Sequence, residues 1–516
     1  MKFFTKYYGL YRLNSDYSLL FNTLTGAKDI IDEPTRTVID RLIAGNTDCD
    51  CPADLREQLE KRGYLFESEE KEHELLEKMH ERTKEINAQS TTPNYTICPT
   101  MGCNLRCTYC FESTELHEEC AVMTMEQLEG ILSMVKESIL QNKERMEKMA
   151  EEAKKAREQQ SSKGEACEKQ GCEGEACEKP DGEDEMCEEC KGQHNYVGHL
   201  DLFGGEPLLP INRKIVERIY EFANEWNCSV SAITNGTNIS AYADLLKANA
   251  EKTLLQITLD GDKEIHDTRR IRADGSGTFD KVCEGVTEAL KLGVQVSLRV
   301  NVDKDNLYSL PRLKELFDEQ HWTEYPNFGP YLSPVECYEE SGDHDTVTDA
   351  DILEYVYEKG LYGTEHPVFH NAGPTTGMIE AFFRNEMWKT TYCGATLGLN
   401  YLFTPNGNVY PCLTFCGNDK YVVGTYQGDK VTMNEQHNVW KNRDPFEMKN
   451  CKDCKYLLLC SGGCPARPNA DAEECLIRPT YDRIIELFVA HNSDAYLKTL
   501  ERHNNQQNEK KEESKA

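Results

Sequence analysis

Residues 98–112 read Cys98-Pro-Thr-Met-Gly-Cys103-Asn-Leu-Arg-Cys107-Thr-Tyr-Cys110-Phe-Glu112, directly after an apolar, strand-like Tyr95-Thr-Ile. Three thiols at Cys103, Cys107 and Cys110 in one tight loop match the donors of a [4Fe–4S] cube, which is held by cysteine thiolates. Three thiolates occupy three irons and leave the fourth corner without a protein ligand. A zinc knuckle is the competing reading. Zinc needs a fourth donor to close its tetrahedron, and Cys98 and Cys120 are available nearby.

Outward from the loop the chain alternates strand and helix. Candidate strands fall at 95–98, 199–203, 229–234, 254–259, 295–302 and 327–332, with helical patterns near 124–142, 211–226, 240–249, 277–292 and 306–320. Alternation of this kind predicts βαβ units and a parallel sheet, with ligands at the C-terminal ends of the strands. Three of those ends carry distinctive turns. Leu202-Phe203-Gly204-Gly205-Glu206-Pro207 closes the second strand. Its paired glycines let backbone approach a ligand, and Glu206 can accept from an ammonium. Thr234-Asn235-Gly236-Thr237 and Leu259-Asp260-Gly261 end the next two strands. Asn-Gly and Asp-Gly are also ordinary turn formers. Arg270 and Arg299 offer planar forks for a carboxylate, though a structural arginine reads the same way in sequence.

A second group of cysteines lies near the C-terminus. Cys393 and Gly407-x4-Cys412 are followed by Cys451-x2-Cys454-x5-Cys460-x3-Cys464 and then Cys475. Interleaved zinc sites share the C-x2-C element, but they leave the loop at Cys103–Cys110 unexplained.

Together these motifs resemble the radical S-adenosylmethionine enzymes. The resemblance implies an α/β fold, a partial (β/α)6 TIM-like barrel over residues 93–335. It also implies a [4Fe–4S] cluster on Cys103, Cys107 and Cys110, whose open iron is chelated by the amino and carboxylate groups of S-adenosylmethionine. By position, Gly204, Gly205, Glu206 and Pro207 would meet the methionine amino group. Thr234, Asn235 and Asp260 fall where ribose contacts lie, Arg270 and Arg299 would take the carboxylate, and Tyr109 would pack on adenine. The C-terminal cysteines resemble the SPASM extension, here 393–480, which binds two auxiliary [4Fe–4S] clusters. The first would use Cys393, Cys412 and Cys464, and the second Cys451, Cys454, Cys460 and Cys475. The first then has an open iron unless Cys416 closes it. No catalytic side chain is assigned.

Residues 1–70 read as a small α+β unit: strands around Asn14-Ser15-Asp16, a short strand from Ala27, a helix through Val38 and Leu42, a second after Pro52, and a return strand at Tyr64-Leu65-Phe66. Their order resembles the winged-helix element that holds the leader of a precursor peptide, where an extended peptide adds to a strand edge. A helical connector is expected over 71–92, a helical linker over 336–392, and a helix with a polar tail over 481–516. The insertion at 143–193 is Glu- and Lys-rich, repeats Gly-Glu-Ala-Cys-Glu-Lys at 164 and 174, and is expected to be disordered.

The formal charge of −32 opposes phosphate backbones and argues against a nucleic-acid substrate. No apolar run approaches a membrane span. The 23 cysteines in a chain this large, without a signal peptide, suit a reducing cytoplasm and metal rather than disulfides. The expected function is a radical maturase of a ribosomally made precursor peptide, supplied with electrons by a flavodoxin or ferredoxin and forming thioether crosslinks from Cys. Carbon–carbon crosslinking is the alternative product. The formylglycine-forming, sulfatase-maturating type is a third, but it carries an Asp where this chain has Leu413. An iron–sulfur electron carrier or peptide-binding scaffold is the non-enzymatic alternative.

Overall fold

The computed structural model describes residues 2–46, 51–112, 121–161, 196–335, 347–362, 368–385, 389–466, 475 and 477–502. At its centre is a ten-stranded sheet whose first six strands are parallel and lie in sequence order. They are β6 (Asn94–Ile97), β8 (Gly198–Leu202), β9 (Cys228–Thr234), β10 (Thr253–Thr258), β12 (Gln295–Val302) and β13 (Phe328–Pro334). Each alternates between two environments, as period-two strands must. In β12, Val296, Leu298, Val300 and Val302 are fully buried in the core shared with the helices, while Ser297, Arg299 and Asn301 take the opposite face.

The crossover helices α4 (Met125–Ser161), α5 (Arg213–Glu225), α8 (Phe279–Lys291) and α9 (Leu310–Glu319) bury Leu128, Ile131, Ile219, Val286 and Phe317 against those strands. Short α6 (Ala243–Ala248) and α7 (Lys263–Arg269) complete the series. Helix α4 runs well into the stretch read from sequence as disordered. Residues 143–161 carry strong helix formers and an i,i+4 pair, Lys155 to Glu151 at 2.7 Å, so local propensity supports the helix. The remainder of that insertion, including its repeat and five cysteines, lies outside the described residues.

The sheet continues past β6 through strands from the far end of the chain. Strand β14 (Asn400–Phe403) pairs parallel to β6, with Ile97 opposite Phe403. β15 (Asn408–Tyr410), β16 (Gly424–Gln427) and β17 (Lys430–Met433) follow antiparallel. Helices α10 (Asp349–Glu358), α11 (Pro374–Phe383) and α14 (Arg478–His491) share a core of Leu353, Ile379, Ile484 and Val489. Two small helices, α12 (Glu435–Lys441) and α13 (Leu457–Cys460), belong to the cysteine-rich segment.

The N-terminal unit has its own core of Leu20, Ile39, Leu42, Leu59, Tyr64 and Leu65. It comprises β1 (Phe3–Phe4) paired with β5 (Leu65–Phe66), the antiparallel sheet β2 (Tyr8–Arg12), β3 (Tyr17–Asn22) and β4 (Lys28–Asp32), and helices α1 (Glu33–Ile43) and α2 (Ala53–Lys61). Asp32 caps α1 by accepting from Thr35 N at 2.9 Å, a usual N-terminal device. Helix α3 (Glu69–Gln89) leads to β6 of the large sheet. Tyr7, Leu24 and Leu76 pack on Leu457 and Leu458 of the cysteine-rich segment. Lys6 Nζ meets Asp453 at 2.6 Å, Thr23 donates to the Lys455 carbonyl, and His80 contacts Asp444 at 2.7 Å.

Candidate functional site

The C-terminal rim of the parallel strands gathers the loop at 98–112 with the turns after β8, β9 and β10. Cys98 ends β6, fully buried, its amide donating to the Phe403 carbonyl at 2.9 Å. Beyond it the loop carries β7 (Leu105–Cys107), which pairs antiparallel with β11 (Arg270–Arg272) so that Arg270 stands opposite Cys107. Cys110 N donates to Cys107 O at 3.1 Å, and Thr108 N to Arg269 O at 2.9 Å. This pairing fixes the loop that holds all three thiols. Sequence reasoning missed it, because three-residue strands leave no periodicity to read.

The turn after β8 is clamped onto that loop. Gly205 N donates to Thr100 O at 3.1 Å and Glu206 N to Gly102 O at 2.9 Å. Gly204 has φ +121°, and a Cβ there would lie 2.5 Å from Cys98 Sγ; one on Gly205 would lie 2.3 Å from the Gly102 carbonyl. The glycines therefore permit loop-on-loop contact, since no side chain fits either place. Glu206 is 1% exposed. Its carboxylate accepts from Leu208 N at 2.9 Å, Thr234 Oγ1 at 2.7 Å and Asn235 N at 2.6 Å. Burial raises its pKa, and those three donors oppose the rise. Asn104, within the cysteine loop, accepts from Asn235 at 2.8 Å and donates to Thr237 Oγ1 at 2.9 Å. Gly204, Gly205, Glu206, Thr234 and Asn235 thus converge on one surface with the loop, and Pro207 offers its carbonyl to Asn212 at 3.0 Å.

A second network surrounds Tyr109. Its hydroxyl contacts the Asp260 carboxylate and accepts from Arg270 at 2.7 Å and Asn301 Nδ2 at 3.1 Å. Asp260 is fully buried and also accepts from Asn301 N at 2.9 Å. Arg269 lies over the Tyr109 ring, 5.0 Å from its centroid, and meets Asp303 at 2.6 Å. Burial with a neighbouring Asp260 holds the phenol well above its usual range, partly offset by Arg270. Arg299 donates to Asn301 at 2.7 Å and to Ser333 at 3.0 Å. The structure thereby engages Tyr109, Asp260, Arg270 and Arg299 with one another through Asn301. That residue has no signal in sequence beyond its place at the end of a strand.

Cys107 is close enough to Cys103 and to Cys110 to raise the pKa of each. Burial is the first cause, pushing both Cys103 and Cys110 up to about 12, with Cys107 adding repulsion to each. For Cys107 burial also leads, opposed by Arg270. Clustered thiols, half-buried at Cys103 and Cys107 and exposed at Cys110, suit a cationic metal centre, because metal ligation deprotonates a coordinating thiol. The second set shows the same physics. Cys451, Cys454, Cys460 and Cys475 interact electrostatically, with burial raising Cys451 to about 11 and Cys460 to about 12. Cys393, Cys412 and Cys464 are half-buried against the main core. Cys416 is 3% exposed and packs instead on the start of the loop at 98–112, 3.9 Å from Met101 Sδ and in contact with Cys98.

Comparison with known proteins agrees with this arrangement. A model of the Radical SAM superfamily matches residues 179–315, which takes in β8 to β12 and begins beyond the cysteine loop. A cysteine-type anaerobic sulfatase-maturating enzyme of Clostridium perfringens is 29% identical over 280 residues, 51% of this chain and 72% of its own length. One from Clostridium novyi is 26% identical over 277 residues, 51% of this chain and 71% of its own. The solved structure of native anSMEcpe with bound AdoMet has a TM-score of 0.53 at 20% identity, covering 79% of this chain and 99% of that one, so the two share a fold. A second, with bound AdoMet and Cp18Cys peptide, has a TM-score of 0.52 at 20% identity over 80% of this chain and 100% of that one.

Residues 179–315 thus match a radical SAM domain, a type of domain that implies a [4Fe–4S] cluster and S-adenosylmethionine. The donor chemistry of Cys103, Cys107 and Cys110 fits that group. Among the described residues no helix is long and apolar enough to cross a membrane.

Proposed function

We propose that this chain is a maturase that oxidatively modifies a ribosomally made precursor peptide, forming thioether bonds from Cys. Cys103, Cys107 and Cys110 hold the [4Fe–4S] cluster in this reading, and S-adenosylmethionine binds against the Gly204–Pro207 turn, Thr234 and Asn235. When bound, the reduced cluster supplies the electron that cleaves S-adenosylmethionine to a 5′-deoxyadenosyl radical. The chain's own part is positional. The hydrogen bonds of the Glu206 and Tyr109 networks tie these loops to one another.

In the same reading, residues 393–480 bind two auxiliary clusters, and a flavodoxin- or ferredoxin-type donor supplies electrons. Cys451, Cys454, Cys460 and Cys475 take the second. Cys393, Cys412 and Cys464 take the first, and the contact of Cys416 with Cys98 supports an iron left free for a substrate thiolate. The N-terminal unit recognises the leader. The observation that carries the assignment is its docking, through Tyr7, Leu24, Lys6 and Thr23, on the cysteine-rich segment that would face substrate.

Formylglycine formation is the second reading, favoured by identity to the sulfatase-maturating relatives. Against it stands Leu413, an apolar side chain packed on the Cys98, Met101 and Cys416 cluster, where that type uses a carboxylate. One experiment separates them. The anaerobically reconstituted protein is given dithionite, S-adenosylmethionine and either a Cys-rich peptide encoded beside it or a sulfatase Cys peptide. A loss of two hydrogens per bond on the first supports thioether formation. Formylglycine on the second overturns it, and absence of 5′-deoxyadenosine with both removes the enzyme altogether.

A further inference from the structure

Lys389 lies next to residues that flank cysteines of both C-terminal sets. Lys389 N donates to the Leu458 carbonyl at 3.1 Å, and Ser461 Oγ donates to the Lys389 carbonyl at 2.7 Å, so its backbone is fastened on both sides of Cys460. Its Nζ donates to the Tyr392 carbonyl at 3.1 Å, immediately before Cys393. Burial draws its pKa down, while the thiols of Cys393 and Cys460 both act to raise it. A half-buried lysine is thus fastened beside Cys393 of one set and beside Cys460 of the other.

Arg478 differs. It opens α14, is exposed, donates to the Asn450 carbonyl at 3.3 Å just before Cys451, and shares a cavity wall with Cys475. Its electrostatic partners include Cys454 and Cys475, both of the second set.

We infer that Lys389 is a redox-tuning residue common to both auxiliary clusters, and Arg478 a weaker one belonging to the second alone. The inference rests on the cluster assignment above. Reduction adds an electron to each centre, and a fixed cation nearby favours the reduced form. Net charge, hydrogen bonding and exposure set the potentials of iron–sulfur centres. Solvent screens an exposed charge more than a half-buried one, which orders the two effects.

The test uses full-length, anaerobically purified protein with Cys103, Cys107 and Cys110 changed to Ala, which isolates the auxiliary centres. Their midpoint potentials are read by EPR-monitored titration, with Cys475→Ala identifying the second. Lys389→Gln is expected to lower both reduction equilibria about tenfold, about 59 mV for one electron. Lys389→Arg should leave both close to the parent. Arg478→Gln should lower the second only, and by less. A Lys389→Gln protein that sheds iron while Lys389→Arg keeps it is read the same way, as a need for positive charge at that point. Unchanged potentials in Lys389→Gln, a shift confined to one centre, or Lys389→Arg falling as far as Gln would overturn the inference. Zinc in place of iron in the parent protein would instead overturn the cluster assignment, before any variant is compared.

Discussion

The loop at Cys103–Cys110 and the segment at Cys451–Cys464 both present clustered thiols, yet they are held in different ways. The first is built into the sheet: β7 pairs with β11, the Gly204–Glu206 turn bonds to its backbone, and Asn104 ties it to the turn after β9. The second has little regular structure. Its one short helix, α13, ends at consecutive positive-φ residues, Ser461, Gly462 and Gly463, and its outer face leans on the N-terminal unit. Backbone ladders can organise a metal site before metal arrives. A segment with few of them takes much of its order from the ligand, because binding then contributes directly to folding.

That contrast can be broken by experiment. The largest effect is expected from Cys103→Ala, which should abolish 5′-deoxyadenosine formation while leaving the thermal midpoint near that of the parent. Cys475→Ala should retain some of that product. Next comes removal of the second auxiliary centre by Cys451→Ala with Cys454→Ala. Hydrogen exchange should then rise across 444–464 and across β1 to β3, with amides of β9 to β12 unchanged. Equal exchange in both regions would erase the distinction.

Gly205→Ala should cost about 1–3 kcal/mol by overpacking, since its methyl meets the Gly102 carbonyl. S-adenosylmethionine cleavage should fall further than that cost alone implies. Tyr109→Phe leaves Asp260 and Arg270 without their shared hydroxyl and should cost about 1–3 kcal/mol, read as a lowered thermal midpoint. Lys6→Ala removes an exposed ion pair with Asp453, and its cost should stay below about 1 kcal/mol.

The parallel strands were legible because each repeats a period-two apolar pattern followed by a helical one, and six repeats leave few alternative orders. The thiol loop was legible because its spacing is local. What sequence could not convey is contact across long separations. Nothing near Tyr109 announces Asn301, and nothing near Cys98 announces Cys416. Arg270 was read as a candidate carboxylate ligand; the structure shows it facing Cys107 and Tyr109. The helical stretch to Ser161 was missed for the opposite reason, since its charge suggested disorder while its propensity favoured a helix.

Strand β6 has β8 on one side and β14 on the other, and Asn94 bonds to Asn400, 306 positions later in the chain. On the ribosome, the strand that leads into the thiol loop therefore emerges long before its second neighbour has been translated. One flank of that loop stays unsealed until β14 has been made.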